Sequence, residues 1–288
     1  CGPDTEIFYW VGEGLPPAGS NKGTDNENWM EIWNNVFMQY NRIDEKTLVP
    51  LPKKNVDTGM GLERTNCILQ GKTSVYLTEV FQPIIAKIEE LSFYKYGTDE
   101  EKDRSVRIIA DHSRSAVFIL GDQKGVSPSN VGAGYVLRRL IRRAVRHGMK
   151  LGIEKNFLAE IAQAVIENFK CAYPELEQNK EKIFTELSAE ENKFRDTLRK
   201  GEAEFQKLLP NLMKNPKREI SGKIAFRLYD TFGFPLELTQ ELGAENGFTV
   251  DVEGFKEAER KHQEASKTQD AGAAKGGLAE QSDTTTKY

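Results

Sequence analysis

Residues 56–64 read Val-Asp-Thr-Gly-Met-Gly-Leu-Glu-Arg. Two glycines one residue apart let a backbone turn tightly and lie close to a ligand, because glycine tolerates positive φ and has no Cβ. Leu62 to Gln70 contains no Pro or Gly, and Leu62, Ile68 and Leu69 fall near one helical face. The pattern predicts a turn that leads into a helix. Arg64 in the first turn works against the helix dipole, and an anion such as a triphosphate at the helix start would explain it. On spacing alone, a plain strand–turn–helix connection with a solvated Arg64 accounts for the same residues equally well.

A second group is cationic. Arg138, Arg139, Arg142, Arg143 and Arg146 recur at helical spacing, with His147 and Lys150 following. Val136, Leu137, Leu140, Ile141, Ala144 and Val145 fall on the other face of the same helix. No Asp or Glu lies between Asp122 and Glu154, so local compensation is poor. Such a stripe suits RNA phosphates, which arginine both neutralises and forks. The alternative is a solvated helix face paired with glutamates from elsewhere in the chain.

The surrounding composition bounds the rest. The chain has 288 residues, enough for two domains with a substantial core. A charged fraction of 29% and a mean hydropathy of −0.57 describe a soluble protein, and its cysteine usage suggests a cytoplasmic one. No apolar run approaches the roughly 20 residues that span a bilayer, so a membrane is not an expected partner. Neither is DNA: the net charge of −4 argues against indiscriminate nucleic-acid binding and leaves only a local basic patch. Three widely spaced cysteines (Cys1, Cys67, Cys171) read as reduced thiols. With no Cys-x-x-Cys pair and scattered histidines (His112, His147, His262), no metal site is expected.

The elements that must hold these residues come in two styles. The first 70 residues are rich in Trp, Phe and Gly. Residues 7–10 and 32–40 read as strands, the second covered on both faces, while Val49 to Leu51 is too short to assign. They look like part of an antiparallel sheet without its other strands. From Ser74 the pattern turns helical, with one helix of about four turns carrying Val75, Leu77, Val80, Phe81, Ile84, Ile85 and Ile88. Further helices are predicted over 156–172 and 175–209, the latter with Glu191 and Gly201 interrupting its apolar seam. Pro210 and Pro216 bracket a break. The last twenty or so residues have a linker composition.

The segment at 56–64 resembles motif 3 of the class II aminoacyl-tRNA synthetases, and more narrowly the alanyl-tRNA synthetase version. Three further blocks carry the same resemblance: Cys1-Gly2-Pro3-Asp4-Thr5-Glu6-Ile7, residues 31–40, and Gly134-Tyr135-Val136-Leu137-Arg138-Arg139. The similarity runs from Cys1 to about Lys287. It implies an α+β fold: the C-terminal part of a class II antiparallel β-sheet catalytic domain (1–73), then a mostly α-helical tRNA-recognition domain (74–266). Residues 267–288 would be a linker toward an editing domain.

The resemblance also implies roles. Arg64 would contact the phosphates of ATP, with Gly59 and Gly61 allowing close approach and Mg²⁺ accompanying the nucleotide. Asp57 would hold the ammonium group of alanine, with Asn34 and Val36 lining its pocket. A methyl group offers little binding energy, so the walls must select by exclusion. Without the resemblance, Asp57 reads as a turn residue and Val36 as plain core. The helical domain would grip the acceptor stem of tRNA(Ala) through the arginine helix. Asn130 and Asp230 would read a G·U wobble at its third base pair, which exposes unusual groups in the shallow minor groove. Taken alone, both are ordinary cap or turn residues. Asp111, His112 and Arg114 match a family block for which a buried polar network is the expected use.

Motifs 1 and 2 do not precede Cys1, the chain lacks an initiator Met, and the His-x-x-x-His zinc site of the editing domain is not present. The chain is therefore expected to be a fragment that neither activates alanine nor hydrolyses mischarged tRNA by itself. Two rivals remain: a stand-alone RNA-binding module, and a small nucleotide-binding regulator that keeps motif 3.

Overall fold

The computed structural model describes residues 1–24, 28–129, 131–232 and 234–261. It is α+β, as the sequence predicts. Its N-terminal part is an antiparallel three-stranded sheet in the order β1 (Asp4–Trp10), β2 (Trp29–Arg42), β3 (Leu48–Met60). Edge-to-face packing of Trp10 on Trp29, with centroids 5.3 Å apart, closes one end of the first pair.

The strand around Val49–Leu51 is far longer than the sequence suggested. Pro50 and Pro52 obscure it, because proline cannot donate to a ladder. Here β3 is an edge strand, and Pro50 lies opposite Tyr40 where the register shifts, so both prolines are tolerated. The expectation that β2 is covered on both faces is also corrected: no described residue of the three strands is buried.

Gly61 opens helix α1 (Leu62–Leu69). A short 3₁₀ turn follows at Val75–Leu77, and then α2 (Gln82–Ser92) begins with Pro83 in its first turn. The single four-turn helix expected over 75–88 is thus two elements, because proline is favoured only at a helix start. Next come α3 (Glu100–Gly121), α4 (Gly132–Lys150), α5 (Leu158–Phe169), the single-turn α6 (Glu175–Gln178) and α7 (Lys180–Leu212). Asp99 caps α3 by accepting from Lys102 N–H at 2.9 Å, and Glu100, Glu101 and Asp103 complement its dipole.

Pro210 does not break α7, which runs on to Leu212. Its ring lies on the exposed side near the helix end, where the carbonyl it leaves unpaired can be hydrated.

The chain divides into two compact units, residues 1–192 and 193–288, with the boundary inside α7. In the first unit α3 packs on α4 and α5, and α2 on α5. Ile88, Ile109, Leu120, Leu137, Ile141 and Ile161 are fully enclosed there. In the second, β4 (Glu219–Ile220) pairs in parallel with β5 (Thr249–Val250). Around that pair lie α8 (Gly222–Phe232), α9 (Leu236–Glu245) and a helical stretch at 252–261. Phe205, Ile220, Leu228 and Phe234 form its core. The stretch expected to be a linker, 267–288, lies outside the described residues.

Candidate functional site

The register of the sheet decides what shares a face. Asn34 lies between Glu6 of β1 and Gly59 of β3, and Val36 lies between Asp4 and Asp57. Directly opposed residues of antiparallel strands share a face, and so do residues two apart along a strand. Asp4, Glu6, Asn34, Val36, Asp57 and Gly59 therefore form one surface in two adjacent rows. The other face carries Thr5, Asn35 and Thr58 in one row and Ile7, Trp33 and Met60 in the next. Trp33 Nε1 donates to Thr58 Oγ1 at 2.5 Å, and Thr58 Oγ1 donates to Asn35 Oδ1 at 2.6 Å.

The sequence pointed to Asn34, Val36, Asp57 and Gly59 but gave no reason for them to meet. It also missed Asp4 and Glu6, which the hairpin adds to the same surface. Glu6 Oε1 accepts from Asn34 Nδ2 at 3.2 Å. Asp4, Glu6 and Asp57 have no cationic partner among the described residues, so this face is electronegative. That suits an ammonium group.

The glycine expectation changes in kind. Gly59 is inside β3, and Gly61 caps α1 with φ −70°, so neither uses the left-handed region. Asp57 likewise is a strand residue rather than a turn residue. What the glycines supply is room. A Cβ on Gly59 would meet nothing within 4 Å, which leaves that row open to a ligand. A Cβ on Gly61 would press on the Arg64 side chain at 3.3 Å.

Arg64 lies back along that space. Its Nη1 donates to the Glu31 carbonyl at 3.0 Å and is 3.5 Å from Glu31 Oε2. Half of the side chain, 51%, stays exposed at the end of the sheet. Glu63 faces the opposite way and pairs with Arg114 of α3, whose guanidinium lies 4.4 Å from the centre of the Phe81 ring. This gives Arg114 a role that its sequence block did not reveal. Beside it, His112 Nδ1 lies 3.0 Å from Asp111 Oδ2 in a partly buried pair, and that hydrogen bond lowers the Asp111 pKa.

Between α1, α3 and α5 is a cleft of about 860 Å³ bordered by Leu62, Leu69, Phe118, Phe169 and Tyr173, with Met60 at the end of β3. None of Asn34, Val36, Asp57, Gly59 or Arg64 borders it.

The arginine helix is α4, and its five arginines do not form one exposed stripe. Arg139 and Arg143 are exposed, whereas Arg146 is 5% exposed and belongs to the interior. Arg138 and Arg142 converge on Glu190 of α7, at 3.3 and 2.7 Å. The compensation absent from the local sequence comes from 48 residues away. On the apolar side Val136 is 53% exposed, while Leu137, Ile141, Ala144 and Val145 make the packed seam. His147 is enclosed, with Nδ1 3.0 Å from Ser105 Oγ. Burial, followed by Lys150, Arg143, Arg146 and Arg104, pushes its pKa down to about 3. It is a neutral packing residue.

Asp230 lies on the exposed side of α8, in the second unit. Asn130 falls outside the described residues.

The sequence matches the family described as tRNA synthetases class II (A) over residues 1–287. It is 59% identical over 290 residues to the alanine–tRNA ligase of Treponema denticola and 51% identical to that of Treponema pallidum. A third similar ligase, from Borreliella afzelii, is 50% identical over 287 residues. Each alignment covers all of this chain and 48% of the relative, so the chain spans about half the length of these curated relatives.

Proposed function

We propose that this chain, which belongs to the class II (A) tRNA synthetases, forms the alanine-binding, motif 3 and acceptor-stem-binding parts of an alanine–tRNA ligase. On this reading residues 1–73 contribute to the catalytic domain, 74–266 to tRNA recognition, and 267–288 to a linker. The whole enzyme, cytoplasmic, would activate alanine with ATP and pass it to tRNA(Ala). The observation that carries the proposal is the register that aligns Asn34 with Gly59 and Val36 with Asp57 on one electronegative face.

The chemistry follows from the side chains. Asp57 supplies the counter-charge for the ammonium group, and Val36 opposite it supplies an apolar wall for a methyl group. The bare backbone at Gly59 leaves space for the nucleotide. Arg64, anchored at one edge by Glu31, offers its remaining donors to phosphate. Adenylate formation needs alignment and charge neutralisation more than a covalent side chain. Among the described residues no three Asp, Glu, His or Cys side chains converge as a metal cage. Mg²⁺ would enter as the companion of the ATP phosphates, its usual mode.

Acceptor-stem binding is assigned to Arg139 and Arg143, with base-pair reading by Asn130 and Asp230. Arg138, Arg142 and Arg146 support α4 from its packed side. Binding of acceptor-stem minihelices with G·U or G·C at the third pair tests this reading. The chain should prefer G·U, and Asn130→Ala or Asp230→Ala should abolish the preference. Equal binding of the two minihelices by the unaltered chain would sink it.

A further inference from the structure

Glu6 and Asn34 oppose one another across the β1–β2 pair, and Asn34 Nδ2 donates to Glu6 Oε1 at 3.2 Å. A carboxylate only accepts hydrogen bonds, so the NH₂ edge of the amide must face Glu6 and Oδ1 must turn away. An amide without such a partner can rotate by a half-turn and present a donor instead. The next row of the same face holds Val36 and Asp57. An acceptor at Asn34 adds to the carboxylate of Asp57 in attracting an ammonium group, whereas a donor there opposes it.

We propose that Glu6 is a positioning residue for amino-acid recognition: it holds the Asn34 amide with Oδ1 outward, so that Asn34 and Asp57 act together on the substrate ammonium group. The inference rests on the assignment of this face to alanine. Glu6 need not touch the substrate. Its contribution passes through the orientation of Asn34.

The test has two arms. In the full-length protein that on this reading contains the segment, ATP–pyrophosphate exchange is measured for Glu6→Ala, Glu6→Gln and Asp57→Asn. Losing one oriented hydrogen bond should raise KM for alanine about tenfold in Glu6→Ala. Its kcat and KM for ATP should change little. Glu6→Gln, which can still offer an acceptor, should fall between. If Asp57→Asn raises KM for alanine and Glu6→Ala does not, the positioning role is wrong and the assignment of the face stands. If Asp57→Asn has no effect on alanine, the assignment itself fails. A fall in kcat together with higher KM for both substrates would show general damage and also overturn the proposal.

The second arm needs no activity. In this chain, the Asn34 side-chain NH₂ resonances should move in Glu6→Ala, while Asp57→Asn leaves them in place. Unchanged Asn34 resonances in Glu6→Ala would overturn the inference.

Discussion

Glu63, in the first turn of α1, is paired with Arg114 in α3, 51 residues away in sequence. Arg114 also stacks over Phe81, while Arg64, next to Glu63, turns toward Glu31 of β2. The start of α1 is thus held from two directions, by the sheet and by the helices. The helix that carries the candidate phosphate ligand is oriented by residues outside its own motif.

Arg114→Ala should cost about 1.5–3 kcal/mol, the usual worth of a hydrogen bond to a charged group. Adding Glu63→Ala should cost less than the sum of the single changes, because the pair acts as a unit. Urea denaturation of the four proteins in the cycle checks this. Strict additivity would show that the pair contributes nothing.

Glu191 is fully enclosed in α7 and accepts the backbone N–H groups of Phe157 and Leu158 at 3.0–3.2 Å. It caps α5 from another element, complementing the dipole at that helix start. Glu191→Ala should destabilise the chain by roughly 1–3 kcal/mol, and Glu191→Gln by less. Hydrogen exchange at Phe157 and Leu158 should accelerate in Glu191→Ala more than exchange within α2.

His147 makes stability depend on pH. The folded imidazole stays neutral down to about pH 3, while the unfolded one takes up a proton below its ordinary 6.5. Proton uptake by the unfolded chain favours unfolding. The contribution is therefore complete above pH 6.5 and lost progressively as pH falls toward 3, at up to about 1.4 kcal/mol per pH unit. Denaturation midpoints between pH 7 and 4 should fall less steeply in His147→Gln than in the unaltered chain.

Arg139→Ala and Arg143→Ala should each weaken minihelix binding and reduce the magnitude of its salt slope by about one. Arg146→Ala should instead lower the melting temperature, since that side chain is buried. Equal losses of RNA binding from all three, with equal stability, would contradict this division.

Gly201→Ala poses two opposed effects. Alanine gains about 1 kcal/mol of helix propensity over glycine. Its Cβ, however, would lie 2.2 Å from Cδ2 of the enclosed Phe234 ring. Overpacking of about 1–3 kcal/mol should dominate, so calorimetry should record a lower melting temperature.

Strand and helix types were readable where periodicity was strong, as in α4 and α7. They were obscured wherever proline mattered, because its effect depends on position. Pro50 is harmless in an edge strand at a register shift, Pro83 starts a helix, and Pro210 sits in a last turn. Glu191, which seemed to interrupt an apolar seam, is buried because it meets two backbone donors that no local pattern announces.

The sequence alone determined the family and the chemical types on offer, because motif 3 and the blocks around it are contiguous in the chain. Tertiary structure decided which of those residues act together. Strand register set Glu6, Asn34 and Gly59 in one row, and helix packing tied Glu190 to two of the five arginines. Both depend on pairing between distant segments, which local residue patterns do not encode.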